Sequence, residues 1–172
     1  MINIQVFENP AFQDDRGELW TIYNSKDLPD LKFNHDKIST SKHNVLRGLH
    51  TDKSYKLITC LYGKIQLVVV DFNKESPNYL LHESFILDAS ESTKKSVLVP
   101  PYFLNGHLVL SEHAVFHYKW SYPGDYPDVS DQVSVNWADP TLNINWLSDN
   151  PILSDRDRNS KFLHLKSFSQ DG

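Results

Sequence analysis

Short runs rich in β-branched and aromatic residues punctuate this chain: LWTIYN at 19–24, KLITCLY at 56–62, KIQLVVVDF at 64–72, KSVLVP at 95–100, HLVLS at 107–111, AVFHYKW at 114–120 and QVSVNW at 132–137. Clusters of Gly, Pro, Asn, Asp and Ser separate them at the regular spacing of an antiparallel sandwich or barrel, so the expected fold class is all-β, a β-sandwich or jelly roll. Tyr62-Gly63-Lys64 reads as a hairpin turn, and Ser111-Glu112 as a second. Helix signals are minor: residues 25–31 predict a turn or two, and the tail after Pro151 a short helical piece.

A chain of 172 residues with no composition break predicts one domain with one substantial core. The formal net charge of -5 argues against a general nucleic-acid binder, although local basic residues could still hold one diphosphate. No apolar run approaches the roughly 20 residues of a membrane span, and the opening MINIQVFENPAFQDDRG has neither a basic n-region nor an apolar h-region. A cytoplasmic protein is therefore expected, without membrane partners. The six glycines are scattered and form neither GxGxxG nor GKS/GKT, which argues against Rossmann or P-loop nucleotide binding. Cys60, the single cysteine, lies in LITCLYG and reads as a small buried hydrophobe rather than a nucleophile.

Eight histidines raise a metal site first. His107, His113 and His117 share strand parity across an expected hairpin, but no HxH or HxxxH pair brings two imidazoles together locally, so they read as surface or packing residues. The segment SKHNVLRGLHTD at 41–52 places Arg47, Gly48 and His50 in an otherwise apolar extended stretch, with Lys56 six residues beyond His50. A histidine suits a general base, and neighbouring cations suit a phosphate or an enolate. Arg47 and His50 have opposite parity, however, and point to opposite faces unless Gly48 breaks the pleat; a structural histidine with a solvated arginine is the plainer reading. Tyr118 shares a face with Ala114, Phe116 and Trp120 and reads as a core aromatic, and Asp155 and Asp157 as an exposed acidic loop.

Taken in order, FQDDRG at 12–17, STSKHNVLRGLH at 39–50, Lys56-Leu57, Gly63, Val70-Asp71, Ser76-Pro77, Val99-Pro100-Pro101, Gly106, Leu110-Ser111-Glu112, Tyr118-Lys119, Trp137, Asp139-Pro140, Ile144-Asn145-Trp146 and Leu153 to Asp157 resemble the dTDP-4-dehydrorhamnose 3,5-epimerase family over nearly the whole chain. NVLRGLH is the most diagnostic block. The resemblance implies a cupin-type jelly roll working without metal or cofactor as a homodimer, with residues 1–35 exchanged between subunits. It implies His50 as catalytic base, Asp157 as its paired carboxylate, Tyr118 as the acid across the sugar ring, and Lys56 beside the substrate ketone. Arg16 and Arg47 would contact the nucleotide diphosphate.

Departures from the family pattern lie in its substrate-binding positions. Asn105-Gly106-His107 stands where His-Gly-Phe is usual, Thr21 replaces a glutamate near the base, and His35 and Lys37 replace Gln and Asn. RGELWT, KFNHDK, KHNVLRG, PYFLNGH and YPGDYPDVSDQ resemble the subgroup acting on GDP-4-keto-6-deoxy-heptoses in bacterial capsule synthesis. The expected activity is inversion of C3, or of C3 and C5, in a GDP- or dTDP-linked 4-keto-6-deoxy-sugar. The alternatives are a nucleotide-sugar 3,4-ketoisomerase and a non-catalytic sugar-nucleotide-binding jelly roll.

Overall fold

The computed structural model describes residues 2–122, 124 and 132–163. The stretch YPGDYPDVSDQ singled out in the sequence falls mostly outside these residues. Two five-stranded antiparallel sheets face each other. The first carries β1 (Gln5–Pro10), β9 (Thr93–Val99), β6 (Lys56–Tyr62), β11 (His113–Trp120) and β4 (His35–Lys42), in that spatial order. The second runs β12 (Val133–Ser134), β5 (Leu46–Thr51), β10 (Phe103–Val109), β7 (Lys64–Asp71) and β8 (His82–Asp88). A separate two-stranded arm pairs β2 (Phe12–Asp14) with β3 (Gly17–Leu19), and α1 (Asp155–Arg158) is the one helix among the described residues. The architecture is a jelly roll, and among the described residues no helix is long and apolar enough to cross a membrane.

Alternation along the strands sorts side chains between layers. Ile58 and Cys60 of β6, Ile65, Leu67 and Val69 of β7, and Ala114 and Phe116 of β11 meet between the sheets as the main core. Val68 and Val70 point the other way, into a second cluster with Leu46, Leu49, Val135, Leu142 and Trp146, where the C-terminal segment covers the outer face of the second sheet. A strand buried on both faces reads as an uninterrupted apolar run, which accounts for LVVV in β7. Cys60 lies in the main core, where burial pushes its thiol up to about 11, so it is no nucleophile at neutral pH.

Several sequence expectations are corrected. Neither Tyr62-Gly63-Lys64 nor Ser111-Glu112 closes a hairpin: β6 and β11 belong to the first sheet, β7 and β10 to the second, so both turns carry the chain across the sandwich. The two corners pack together, with Ser111 Oγ accepting from the Lys64 amide and donating to the His113 carbonyl. Gly63 has φ +76°, and a Cβ there would sit 2.2 Å from that same carbonyl oxygen, so only glycine fits. LWTIYN is not a strand beyond Leu19; Tyr23 packs edge-on against Phe33, and with Leu28 covers Leu57 and Leu98 on the outer face of the first sheet. Two expectations hold: residues 25–31 make a turn or two, and the short helix after Pro151 is present.

Candidate active site

A cavity of about 420 Å³ opens between the sheets, beyond the end of the main core. Its walls carry Lys37 from β4, Lys56 from β6 and Tyr118 from β11 on one side, and Arg47, His50, Asn105 and His107 from β5 and β10 on the other. Arg156 and Asp157 of α1 complete it, together with Gln132 and Ser154.

Arg47 and His50 reach the same cavity because β5 carries one extra residue. Asn105 pairs with His50 and His107 with Arg47, so two steps along β10 match three along β5. This bulge reverses the parity that would have sent the two side chains to opposite faces. Gly48, at its centre, has φ +135° and a cis peptide to Leu49. Its Cα runs so close to β10 that an added Cβ would stand 2.5 Å from the Gly106 Cα.

His50 is held at both ring nitrogens. Nε2 lies 2.9 Å from Asp157 Oδ1, and Nδ1 lies 2.9 Å from Ser134 Oγ. Asn105 donates to the His50 carbonyl and so ties the same strand segment down. Asp157 belongs to no exposed loop. A parallel bridge between Val45 and Ile152 lays the chain against the start of β5, and Ser154 then caps α1 by accepting the Asp157 amide N–H. Asp157 is left buried with its carboxylate aimed at His50. Burial pushes that carboxyl up, but the His50 contact and the Gly48 amide more than offset it and hold it below the usual carboxylate range. Asp157 is thus ionised at neutral pH.

Lys56 is buried with its ammonium 2.9 Å from Asp52 Oδ2, and the Trp120 indole N–H donates to the other oxygen of that carboxylate. Lys37 lies over the Trp120 ring, 4.5 Å from its centroid. Tyr118 packs between Phe116 and Trp120, on the sheet facing His50. His107 is 4% exposed and stacks on Phe116 with ring centroids 4.0 Å apart. Burial, reinforced by the Arg47 charge, lowers its pKa to about 3, so the ring is neutral at any ordinary pH. Its Nε2 has no protein partner among the described residues, which leaves it available to a ligand in the cavity.

His107 also predicts an acid sensitivity. Its folded-state value of about 3 lies below the ordinary 6.5, so the folded chain binds fewer protons than the unfolded one between those limits. The associated stability is present above pH 6.5 and is lost as pH falls towards 3, with a slope of at most about 1.4 kcal/mol per pH unit. The carboxylates with shifted values, Asp14, Asp36, Asp88 and Asp157, are all lowered from an ordinary value already near the bottom of this window. Chemical denaturation of His107→Phe at pH 6.5 and 4.5 is expected to show a much shallower pH dependence than the parent chain; an equal dependence would contradict the buried neutral ring.

The remaining candidates separate. His113 is exposed, and His117 faces outward from β11 with Nε2 2.9 Å from Asp36 Oδ1, whereas His107 faces the cavity from the other sheet. Shared odd numbering put these three together only on the assumption of a hairpin; across two sheets they diverge, and no cluster of three His, Cys, Asp or Glu suited to a metal occurs among the described residues. His35 stands beside Trp120 and Tyr122, outside the cavity wall. Arg16 pairs with Asp14 at the exposed arm and Thr21 is exposed, so neither lines the cavity of its own chain. Gln132, Ser134 and Arg156 were missed: β12 is two residues long, and its contribution depends on pairing with β5, a long-range contact without a local signature.

A family model described as dTDP-4-dehydrorhamnose 3,5-epimerase matches residues 2–164. A protein of that description from Shigella flexneri is 32% identical over 96% of this chain and 94% of its own. Among solved structures, the dTDP-4-dehydrorhamnose 3,5-epimerase of Bacillus anthracis, with TDP and PPi bound, superposes with a TM-score of 0.86 at 34% identity, covering 94% of each chain. The dTDP-6-deoxy-D-glucose-3,5-epimerase of Legionella pneumophila, in complex with dTDP-4-keto-L-rhamnose, gives 0.85 at 29% identity over 92% of this chain and 87% of that one.

Proposed function

Given that the chain belongs to the dTDP-4-dehydrorhamnose 3,5-epimerase family, an isomerase class, we propose that it inverts C3 and C5 of a nucleotide-linked 4-keto-6-deoxy-sugar through an enolate, with His50 as base and Tyr118 as acid. The observation that carries this reading is the His50–Asp157 pair on one wall of the cavity and Tyr118 on the other. A ketone at C4 acidifies the hydrogens on C3 and C5, and inversion requires a proton taken from one ring face and returned to the other, so base and acid have to flank the ring. Asp157 stabilises the imidazolium that His50 becomes. Lys56 faces the enolate oxygen as a fixed positive charge. Arg47 and Arg156, both on the cavity wall, suit the diphosphate.

The homodimer belongs to the same proposal. Phe12 and Leu19 on the arm and Ile38 on edge strand β4 are 77%, 74% and 63% exposed, large apolar side chains that an exchanged segment 1–35 would cover. Exchange would also carry Arg16 towards a partner's cavity rather than its own.

For the substrate's finer identity, the relatives above carry dTDP-sugar names, while Lys37, Asn105 and His107, three of the departures from the family pattern, line the cavity and alter the surface a sugar meets. That favours a sugar differing from the family's usual one, and GDP-4-keto-6-deoxy-heptose, with its place in capsule synthesis, is the second reading. Solvent deuterium incorporation, followed by NMR across dTDP- and GDP-linked 4-keto-6-deoxy-hexoses and -heptoses, tests both. Label at C3 and C5 is expected in the true substrate. Label at C3 alone would reduce the reaction to a 3-epimerase, a ketone relocated to C3 would make it a ketoisomerase, and no label in any substrate would leave a binding jelly roll.

A further inference from the structure

Ser134 is the register partner of His50 across β12 and β5, so the two side chains emerge side by side. Its Oγ lies 2.9 Å from His50 Nδ1 and accepts a 2.9 Å hydrogen bond from Arg156 Nη2, which also donates to Gln132 Oε1 at 3.1 Å. The proton positions follow from what each group can do. An ionised carboxylate only accepts, so the Asp157 oxygen 2.9 Å from Nε2 requires the ring proton to be on Nε2. In the neutral ring Nδ1 is then an acceptor, and the Ser134 hydroxyl is its donor. A guanidinium only donates, so Arg156 occupies a lone pair of Ser134 Oγ and turns the hydroxyl hydrogen away from itself, towards His50. The hydrogen-bond partners of the Arg156 guanidinium, Gln132 and Ser134, are uncharged, which sets a positive charge behind that hydroxyl.

We infer that Ser134, oriented by Arg156 and Gln132, is a positioning residue that holds His50 Nδ1 unprotonated and thereby sets the pH at which the base becomes active. The inference rests on the reading of His50 as base. Asp157 alone would favour the charged ring; Ser134 opposes it, because a proton arriving at Nδ1 has to displace a donated hydrogen bond with a cation behind it. The other charged or titratable groups facing the cavity are Lys37 from β4, Arg47 from β5, Lys56 from β6, His107 from β10 and Tyr118 from β11, together with Arg156 and Asp157 from α1. The group hydrogen-bonded at Nδ1 is the Ser134 hydroxyl.

The test is an NMR titration of the ¹⁵N-histidine-labelled full chain alongside the pH profile of kcat/KM. Ser134→Ala is expected to raise the protonation midpoint of His50 by about half to one pH unit, the worth of one hydrogen bond, and to move the acid limb of kcat/KM upward by the same amount. Ser134→Thr, which keeps the hydroxyl, is expected to restore both. An unchanged midpoint in Ser134→Ala, with activity lowered by one factor at every pH, would reduce Ser134 to a packing residue and overturn the inference. A midpoint that moves while the acid limb stays put would uphold the Ser134 contact and overturn the assignment of His50 as the base, so the two failures are distinguishable.

Discussion

Replacing His50 by Asn is expected to leave a folded protein whose solvent exchange at the carbons beside the ketone falls by about 10²–10⁴, the range for deleting a general base. Asn keeps a polar group near the Nδ1 position for Ser134 to bond, so folding is spared while the proton acceptor is lost. Tyr118→Phe separates the two halves of the reaction. His50 still removes the proton and can return it to the same face, so deuterium enters, but inversion fails for want of a donor on the opposite wall. Mass and configuration have therefore to be read together in the two variants. Wild-type exchange in His50→Asn would remove the base from the mechanism, and wild-type inversion in Tyr118→Phe would remove the acid.

The strands legible in the sequence are those whose inward residues meet the core. β6, β7 and β11 alternate or run apolar because Ile58, Leu67 and Phe116 pack between the sheets. β4, HDKISTSK, carried no such signal: its inward residues include Lys37 and Ser39, which face the cavity instead of the core. A strand that builds a polar site cannot also display an apolar period. β1 and β8 are edge strands with only part of one face buried, and they escaped notice for a related reason. The crossing corners were misread because a turn's local chemistry does not state whether the strands it joins will pair or part.

The site was legible only through resemblance. Residue by residue, Arg47 and His50 read as opposed, Tyr118 as core and Asp157 as a loop carboxylate. The structure supplies what those readings lacked: a bulge in β5, a cavity beyond the main core where Tyr118 becomes wall, and a capped helix that buries Asp157. Each depends on contacts between residues far apart in the chain. Asp157, for example, reaches His50 over more than a hundred positions.

The bulge makes Gly48 the backbone position on which the site turns, and Gly48→Ala is expected to cost both stability and activity. An added methyl would stand 2.5 Å from the Gly106 Cα and 3.0 Å from the Asn105 carbonyl oxygen, both backbone atoms that no rotamer change relieves. The φ of +135° adds strain of its own for any L side chain. Together these are expected to cost about 3 kcal/mol or more, which for a chain of this size lowers Tm by about 6–12 °C. Gly17→Ala is the control, since Gly17 has a nearly equal φ of +132° but nothing within 4 Å of the added carbon, so it isolates the strain from the clash. The two strands can relieve the clash only by separating or by expelling the extra residue, and expulsion turns Arg47 and His50 to opposite faces. Gly48→Ala should therefore lose activity even at temperatures where it remains folded. A variant with parental Tm and parental exchange would show that the close approach of β5 to β10 does not hold the base in place.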